Sequence, residues 1–365
     1  NKHCVGCWAA EYGNRLNLSF EDMDKLVTEA KALGTHLFML TGGEPLVRKA
    51  DVLKLAEAHH DSLFNIFTNA SLVDEPFCKE VQRLGNIIFS VSLESYEPTV
   101  NDGRRGEGSF QQVMDAFDLM HKYGLFYGTS TCYTRANVER VSSDEFIDLI
   151  IAKGCRYAWY FHYKPGGEGA NADLMPTIEQ REYMFHRIRE VRAVEGGKPI
   201  FAMDFQNDGE YVGGCIAGGR AYCHINARGD VEPCVFIHYS NVNIRDMSWL
   251  DCLHQPIFQA YRERYPWNDN MLQPCPMLEN PYILPDIVKE SEAKSSDYTS
   301  PETAQQLCER TAPYAKEWAP KAKELWLDEH PTGKKIYADS MSCEKLELKA
   351  QKIAEEDAED ETVLD

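Results

Sequence analysis

The sequence lacks any run of about 18 uninterrupted apolar residues, which excludes an apolar membrane-spanning helix. No basic segment leading into an apolar one precedes its first motif, so no secretory leader is read. Positive charge is also short. Thirty-eight Lys and Arg stand against 58 Asp and Glu, a formal net charge of -20, which excludes nucleic acid or an anionic membrane as a general partner. Part of that excess lies in a solvated, disordered tail, where Gln351 to Asp365 carry seven acids and one Lys. No repeat of fixed period is present, which excludes a solenoid. The expectation is a soluble, cytoplasmic chain whose 365 residues, 43% hydrophobic, can bury one large or two ordinary cores.

Cysteine, in contrast, is plentiful. Twelve Cys in a secreted chain would suggest disulfides, but here they cluster at two places in an enzyme-sized sequence, and metal or iron-sulfur ligation is the better reading.

Hydrophobic periodicity divides the first half into alternating elements. Helices are predicted over 19–33, with Ser19 as N-cap, Asp22 three residues on and Gly34 as stop, and over 49–59, 75–84, 110–123 and 143–153. Strands are predicted over 36–40, 64–68, 87–93, 126–133 and 157–163. Short apolar strands separated by helices require crossover connections, so the sheet is parallel and the fold class is α/β, a curved partial barrel. In such barrels function gathers at the C-terminal strand ends, where Thr41-Gly42-Gly43-Glu44-Pro45, Thr68-Asn69, Ser92, Glu94 and His162 fall. A helix over 177–194 leads to a Cys- and Gly-rich region at 201–281 with short strands, then to helical stretches rich in Lys, Glu and Ser.

Cys4 and Cys7 form a C-x-x-C pair, whose two-residue gap lets both sulfurs converge on one metal; zinc and a pair of free buried thiols are the competing readings. Cys4-Val5-Gly6-Cys7-Trp8, Thr41-Gly42-Gly43-Glu44-Pro45 and Ser90-Val91-Ser92-Leu93-Glu94, in that order, resemble the radical S-adenosylmethionine (SAM) enzymes. The resemblance covers residues 1–165 and implies a partial (βα)6 TIM-like barrel. The family signature is C-x-x-x-C-x-x-C, so it predicts a further Cys immediately before Asn1 and a first strand before that, both absent from this chain. It implies an oxygen-sensitive [4Fe-4S] cluster on three thiolates, Cys4 and Cys7 among them, with the fourth iron open to S-adenosylmethionine. Reductive cleavage there gives a 5'-deoxyadenosyl radical that abstracts hydrogen from a substrate. It further implies cofactor contacts at Gly42, Gly43, Glu44 and Pro45, at Ser92 and Glu94 (two residues apart on one strand face and so aimed at one ribose), and more weakly at Asn69 and the Arg104-Arg105 pair. Without the resemblance, these are a glycine turn, a strand end and a solvated Arg pair.

A second cluster holds Cys215, Cys223, Cys234, Cys252 and Cys275. Thirteen residues separate Cys215 from Gly229 and four more separate Gly229 from Cys234, a spacing similar to the auxiliary-cluster extensions called SPASM or twitch. Gly229 suits a hairpin that returns the second Cys toward the first. Cys275, in Pro274-Cys275-Pro276, is the expected third ligand. Cys223, Cys252 and Cys308 compete to be the fourth. The resemblance implies one auxiliary [4Fe-4S] cluster, with structural zinc as the alternative. Cys78, Cys132 and Cys155 read as core, and Cys343 has no partner in sequence.

The expected domains are the radical SAM barrel (1–165), a linker helix (166–200), the iron-sulfur domain (201–281), a helical extension (282–350) and the acidic tail (351–365). On the substrate side, His162 ends an aromatic strand and is either a proton carrier or a core histidine. Gly166-Gly167-Glu168-Gly169 reads as a covering loop, and His224, His238 and Tyr239 as neighbours of the auxiliary ligands. The resulting expectation is a radical SAM enzyme acting on a peptide, a small molecule or a lipid, reduced by a donor such as flavodoxin or ferredoxin. The rival is a non-catalytic iron-sulfur or zinc-binding protein.

Overall fold

The computed structural model describes residues 2, 4–7, 17–167 and 169–330. Asn1, His3, Trp8, Glu168, Cys343 and the acidic tail lie outside the described residues, as does the extension beyond 330.

Six parallel strands form one sheet in sequence order: β1 (Leu37–Leu40), β2 (Leu63–Thr68), β3 (Ile87–Ser92), β4 (Phe126–Tyr133), β5 (Tyr157–His162) and β6 (Phe201–Asp204). Between them run α1 (Phe20–Ala32), α2 (Lys49–Ala58), α3 (Glu75–Leu84), α4 (Pro98–Arg105), α5 (Ser109–Lys122), the single turn α6 (Val138–Val141), α7 (Asp144–Ala152) and α8 (Ile178–Val191). Local chemistry sets their ends. Ser19 and Asp22 form a reciprocal capping box on α1, the Asp74 side chain accepts from Phe77 N to start α3, and Gly85, left-handed at φ 74°, stops it.

Alternation along each strand separates two environments. Phe64, Ile66, Phe89, Val91, Tyr127, Ala158, Tyr160 and Ala202 face the helices and are buried. The concave face carries an aromatic set of Phe67, Trp159, Phe161 and Phe205, with Phe161 and Phe205 stacked at 4.4 Å.

Two boundaries differ from the sequence reading. Phe201–Asp204 does not open the second region; it pairs with Tyr157–Tyr160 as the sixth strand of the sheet. Four residues of mixed character, placed after a helix and the loop Gly196-Gly197, give too short a periodic signal to separate them from the Cys- and Gly-rich segment that begins near Gly213. Nor does Pro281 end the Cys-rich region. Its core joins Val231, Ile237, Cys252, Phe258 and Tyr261 to Leu284, Ile287, Leu307 and Cys308. That region holds two small antiparallel pairs, β7 (His224–Ile225) with β8 (Val231–Glu232) and β9 (Tyr239–Ser240) with β10 (Lys294–Ser295), and the helices α9 (Trp249–Leu253), α10 (Pro256–Arg264), α11 (Ile283–Ser291) and α12 (Ala304–Glu329). It grips the barrel at α1, where Trp249 N donates to Glu29 and Arg245 pairs with Asp22 at 2.9 Å, and along α12.

Candidate functional site

The loop after β1 is shaped by Glu44. Its carboxylate, 8% exposed, accepts from Leu46 N at 3.0 Å, Thr68 Oγ1 at 2.7 Å and Asn69 N at 2.8 Å, so one side chain fixes the ends of both β1 and β2. Gly42 sits at φ 123°, a conformation that excludes most side chains, and among the described residues no atom beyond the chain neighbours lies within 4 Å of where a Cβ on Gly42 or Gly43 would be. The backbone there is open to close approach by a ligand. Asn69 turns its Oδ1 to Ser71 N, and Ala70 is held left-handed at φ 61°.

Glu94 organises the neighbouring strand end. Only 1% exposed, it pairs with Arg104 at 3.0 Å and with Arg105, and accepts from Cys132 N at 3.1 Å. Ser92 is half-buried on the concave face opposite Ser130. The two residues expected to share one ribose are therefore differently employed, and the Glu94 carboxylate is committed to two guanidinium groups. Arg104 in turn holds the Cys4–Cys7 loop. Val5 N donates to Arg104 O at 3.1 Å, and Arg104 Nε donates to Val5 O at 3.3 Å. Burial alone would lower the Arg104 pKa, but the charges of Cys132 and Glu94 outweigh it and hold it above its ordinary value. Gly6, at φ 68°, is required where a Cβ would strike Leu174 and Tyr163 at 2.8 Å. The Cys7 side of this loop is exposed and Cys4 half-buried. Burial lowers the Lys2 pKa, and Cys4, Asp102 and Glu44 act against it, so Lys2 lies between the charges of the Cys4–Cys7 side and of Glu44.

His162 is placed elsewhere. It shares the helix-facing side of β5 with Tyr160, is 1% exposed, and has one ring nitrogen 2.7 Å from Tyr163 O and the other 2.8 Å from the Tyr314 hydroxyl on α12. Burial first, then Arg181 and Lys164, hold its pKa well below the usual imidazole value. It is a neutral core histidine facing away from the mouth.

In the second region, Gly229 at φ 93° turns β7 into β8, and a Cβ there would lie 2.7 Å from Asn243 Oδ1. Beyond that turn, burial and then Cys275 push the Cys215 thiol up to about 12, and burial with Cys275 and Cys215 raises that of Cys234, as expected of thiols in one neighbourhood. Cys308 belongs to the same group, raised to about 12 by burial and then by Cys275, whereas Cys223 is influenced by Cys252 instead. Of the three candidates that sequence left open for a fourth position, Cys223, Cys252 and Cys308, it is Cys308, on α12, that Cys275 influences. Two sulfurs already accept backbone hydrogen bonds, Cys234 from Phe236 N and Cys275 from Leu278 N, both at 3.4 Å. Cys275 N donates to Glu279, whose carboxylate pairs with fully buried Arg181 at 2.8 Å.

Four neighbouring thiols, two of them with N–H donors on sulfur, fit a cubane iron-sulfur cluster. Zinc fits less well. Bonds of about 2.3 Å would draw four sulfurs to roughly 3.8 Å from one another, yet among the described residues the one metal-ligating group whose atoms all lie within 4.8 Å is Glu210, Glu329 and His330. There Arg189 already pairs with both carboxylates.

The family model described as "Radical SAM superfamily" matches residues 1–150. The chain carries a radical SAM domain. The chain is 28% identical over 251 residues to the mycofactocin maturase MftC of Mycolicibacterium smegmatis, covering 65% of this chain and 62% of that protein. It is 22% identical over 272 residues to the AdoMet-dependent heme synthase of Methanosarcina barkeri, covering 67% and 76%. It thus spans less than two thirds of the length of the maturase. Among solved structures, Streptococcus suis SuiB superposes with a TM-score of 0.59 at 18% identity, covering 72% of this chain and 65% of SuiB. The anSMEcpe complex with AdoMet and the Cp18Cys peptide gives 0.58 at 15%, covering 89% and 95%. These two share the radical SAM fold seen here.

Sequence reasoning missed three functional features. The Glu94 pairing with both arginines, the Arg181–Glu279 support behind Cys275 and the contact of Lys164 with Phe236, its ammonium 4.5 Å from the ring centre, all join residues remote in sequence. No local motif signals them.

Proposed function

We propose that the protein is a radical SAM enzyme with one auxiliary iron-sulfur cluster, acting on a peptide. The observation that carries the catalytic reading is the docking of the Cys4–Cys7 loop, through Arg104 and Glu94, at the mouth that also holds the open Gly42-Gly43 backbone. Cys4 and Cys7 would hold iron there, beside the loop for the methionine end of the cofactor. When bound, a [4Fe-4S] cluster with S-adenosylmethionine supplies a 5'-deoxyadenosyl radical for hydrogen abstraction. The chain's own contribution is placement: Glu44 fixes the Gly42–Asn69 rim, and Glu94 with Arg104 fixes the thiolate loop against it. Cys215, Cys234, Cys275 and Cys308 would hold the auxiliary cluster. A peptide substrate is supported by the peptide complexes of two structural neighbours, SuiB with its precursor peptide SuiA and anSMEcpe with Cp18Cys. The likeness to a heme synthase supports a small-molecule substrate instead. A low-potential donor such as flavodoxin or ferredoxin, in a reducing cytoplasm, would complete the system.

The test is anaerobic reconstitution followed by reduction with dithionite in the presence of S-adenosylmethionine. The wild-type chain should release 5'-deoxyadenosine, and Cys4→Ala or Cys7→Ala should abolish release while the absorbance of the auxiliary cluster remains. Retained cleavage in both variants would overturn the catalytic assignment.

A further inference from the structure

Tyr261, on α10, is 2% exposed, and its hydroxyl has no hydrogen-bond partner among the described residues. A buried O–H left unpaired is costly, and native structures rarely tolerate it without a group that the hydroxyl serves. Burial raises the pKa of this phenol well above its ordinary value, and Cys234, Cys215, Cys275 and Cys308, the four thiols assigned to the auxiliary cluster, add to the shift. Packing holds the ring in place. A Cβ on Gly218 would lie 2.5 Å from two atoms of the ring, so the absence of a side chain there lets the phenol pack against the Cys215 loop, and Trp267 closes on it edge-to-face at 5.7 Å. Gly218 N also donates to Pro233 O, which ties that loop to the residue before Cys234.

We propose that the Tyr261 hydroxyl donates a hydrogen bond to the auxiliary cluster and thereby sets its reduction potential. The inference rests on the auxiliary-cluster reading given above. Adding an electron makes the cluster sulfurs more negative, so a donor held against them stabilises the reduced form more than the oxidised one and raises the potential. Phe236 N and Leu278 N act in the same sense on Cys234 and Cys275, but those are backbone groups that only a proline, with its own effect on the chain, would remove. Tyr261 is the side-chain member of the set.

The test uses the full chain with Cys4→Ala and Cys7→Ala, so that only the auxiliary cluster titrates, and reads its midpoint potential by EPR-monitored redox titration together with iron content. Tyr261→Phe should keep the iron and shift the midpoint to more negative values. Replacing Tyr261 with 3-fluorotyrosine, a stronger donor of the same shape, should shift it the opposite way. Tyr298→Phe, whose hydroxyl donates to Asp230, should leave it unchanged. An unshifted midpoint in Tyr261→Phe, or shifts of the same sign in both Tyr261 variants, would overturn the proposal. Should Tyr261→Phe lose its iron, the fluorotyrosine variant decides. If the parent chain holds no cluster at all, the auxiliary-cluster reading itself is what fails.

Discussion

Two carboxylates at strand ends organise the mouth of the barrel, and each does so by saturating its oxygens with donors from another segment. Glu94 is the more exacting, because it is almost fully buried and is the anionic partner that Arg104 and Arg105 share. Removing one member of a buried pair leaves an uncompensated charge, at a typical cost of about 3–5 kcal/mol. Arg104 retains some solvent contact, so Glu94→Gln is expected toward the lower end of that range. It should also loosen the Cys4–Cys7 loop, which Arg104 holds through one backbone and one side-chain hydrogen bond to Val5. The expected outcome is a lower melting temperature with loss of about four irons of a total of about eight, the auxiliary cluster remaining. Thr68→Val removes one donor to the Glu44 carboxylate and the acceptor of Ala70 N, and should cost about 1.5–3 kcal/mol, with iron content unchanged.

At the scale of elements, α12 links the two halves of the site. Thr303 and Gln306 cap it reciprocally, Cys308 in its first turns faces Cys275, and Tyr314 two turns on reaches His162 behind the barrel sheet. Cys308→Ala should therefore remove or destabilise the auxiliary cluster, whereas Cys223→Ala should leave iron and visible absorbance intact. The reverse result would return the fourth position to Cys223. At the β7–β8 turn, Gly229→Ala combines a left-handed backbone with a 2.7 Å approach to Asn243, and should cost about 1–3 kcal/mol. Thermal melts and iron content would read both effects. Elements of this kind were legible in the sequence wherever their signal is local. The α3 and β4 spans were readable residue for residue, because Asp74, Gly85 and the apolar run of β4 sit next to the spans they delimit. The features that stayed hidden depend on separations of tens to hundreds of residues. The sixth strand is defined by pairing with β5, the influence of Cys275 on Cys308 by the docking of a helix, and the core role of His162 by Tyr314, 152 positions away.

For the whole molecule, the exit of β5 is where the two thiol sites meet. Tyr163 packs on Gly6 of the Cys4–Cys7 loop. Lys164, next in sequence, lays its ammonium over Phe236 within reach of Cys215, Cys234 and Cys275, and Arg310 of α12 donates to Pro165 O at 2.8 Å. Three consecutive residues thus adjoin the barrel loop, the second Cys group and the helix that carries Cys308. This arrangement suits a division of labour in which S-adenosylmethionine is cleaved at the barrel mouth while the second site relays electrons or places the substrate. Cys234→Ala is the variant that separates the two roles. Cys234 belongs to the second Cys group and not to the Cys4–Cys7 loop, so uncoupled release of 5'-deoxyadenosine should persist near the wild-type rate while conversion of substrate falls steeply. Loss of a structural cluster also removes folding energy, so circular dichroism on the same sample must show a folded chain before the rates are compared. A folded Cys234→Ala protein that no longer cleaves the cofactor would mean that the two sites act as one, with the β5 exit carrying the coupling.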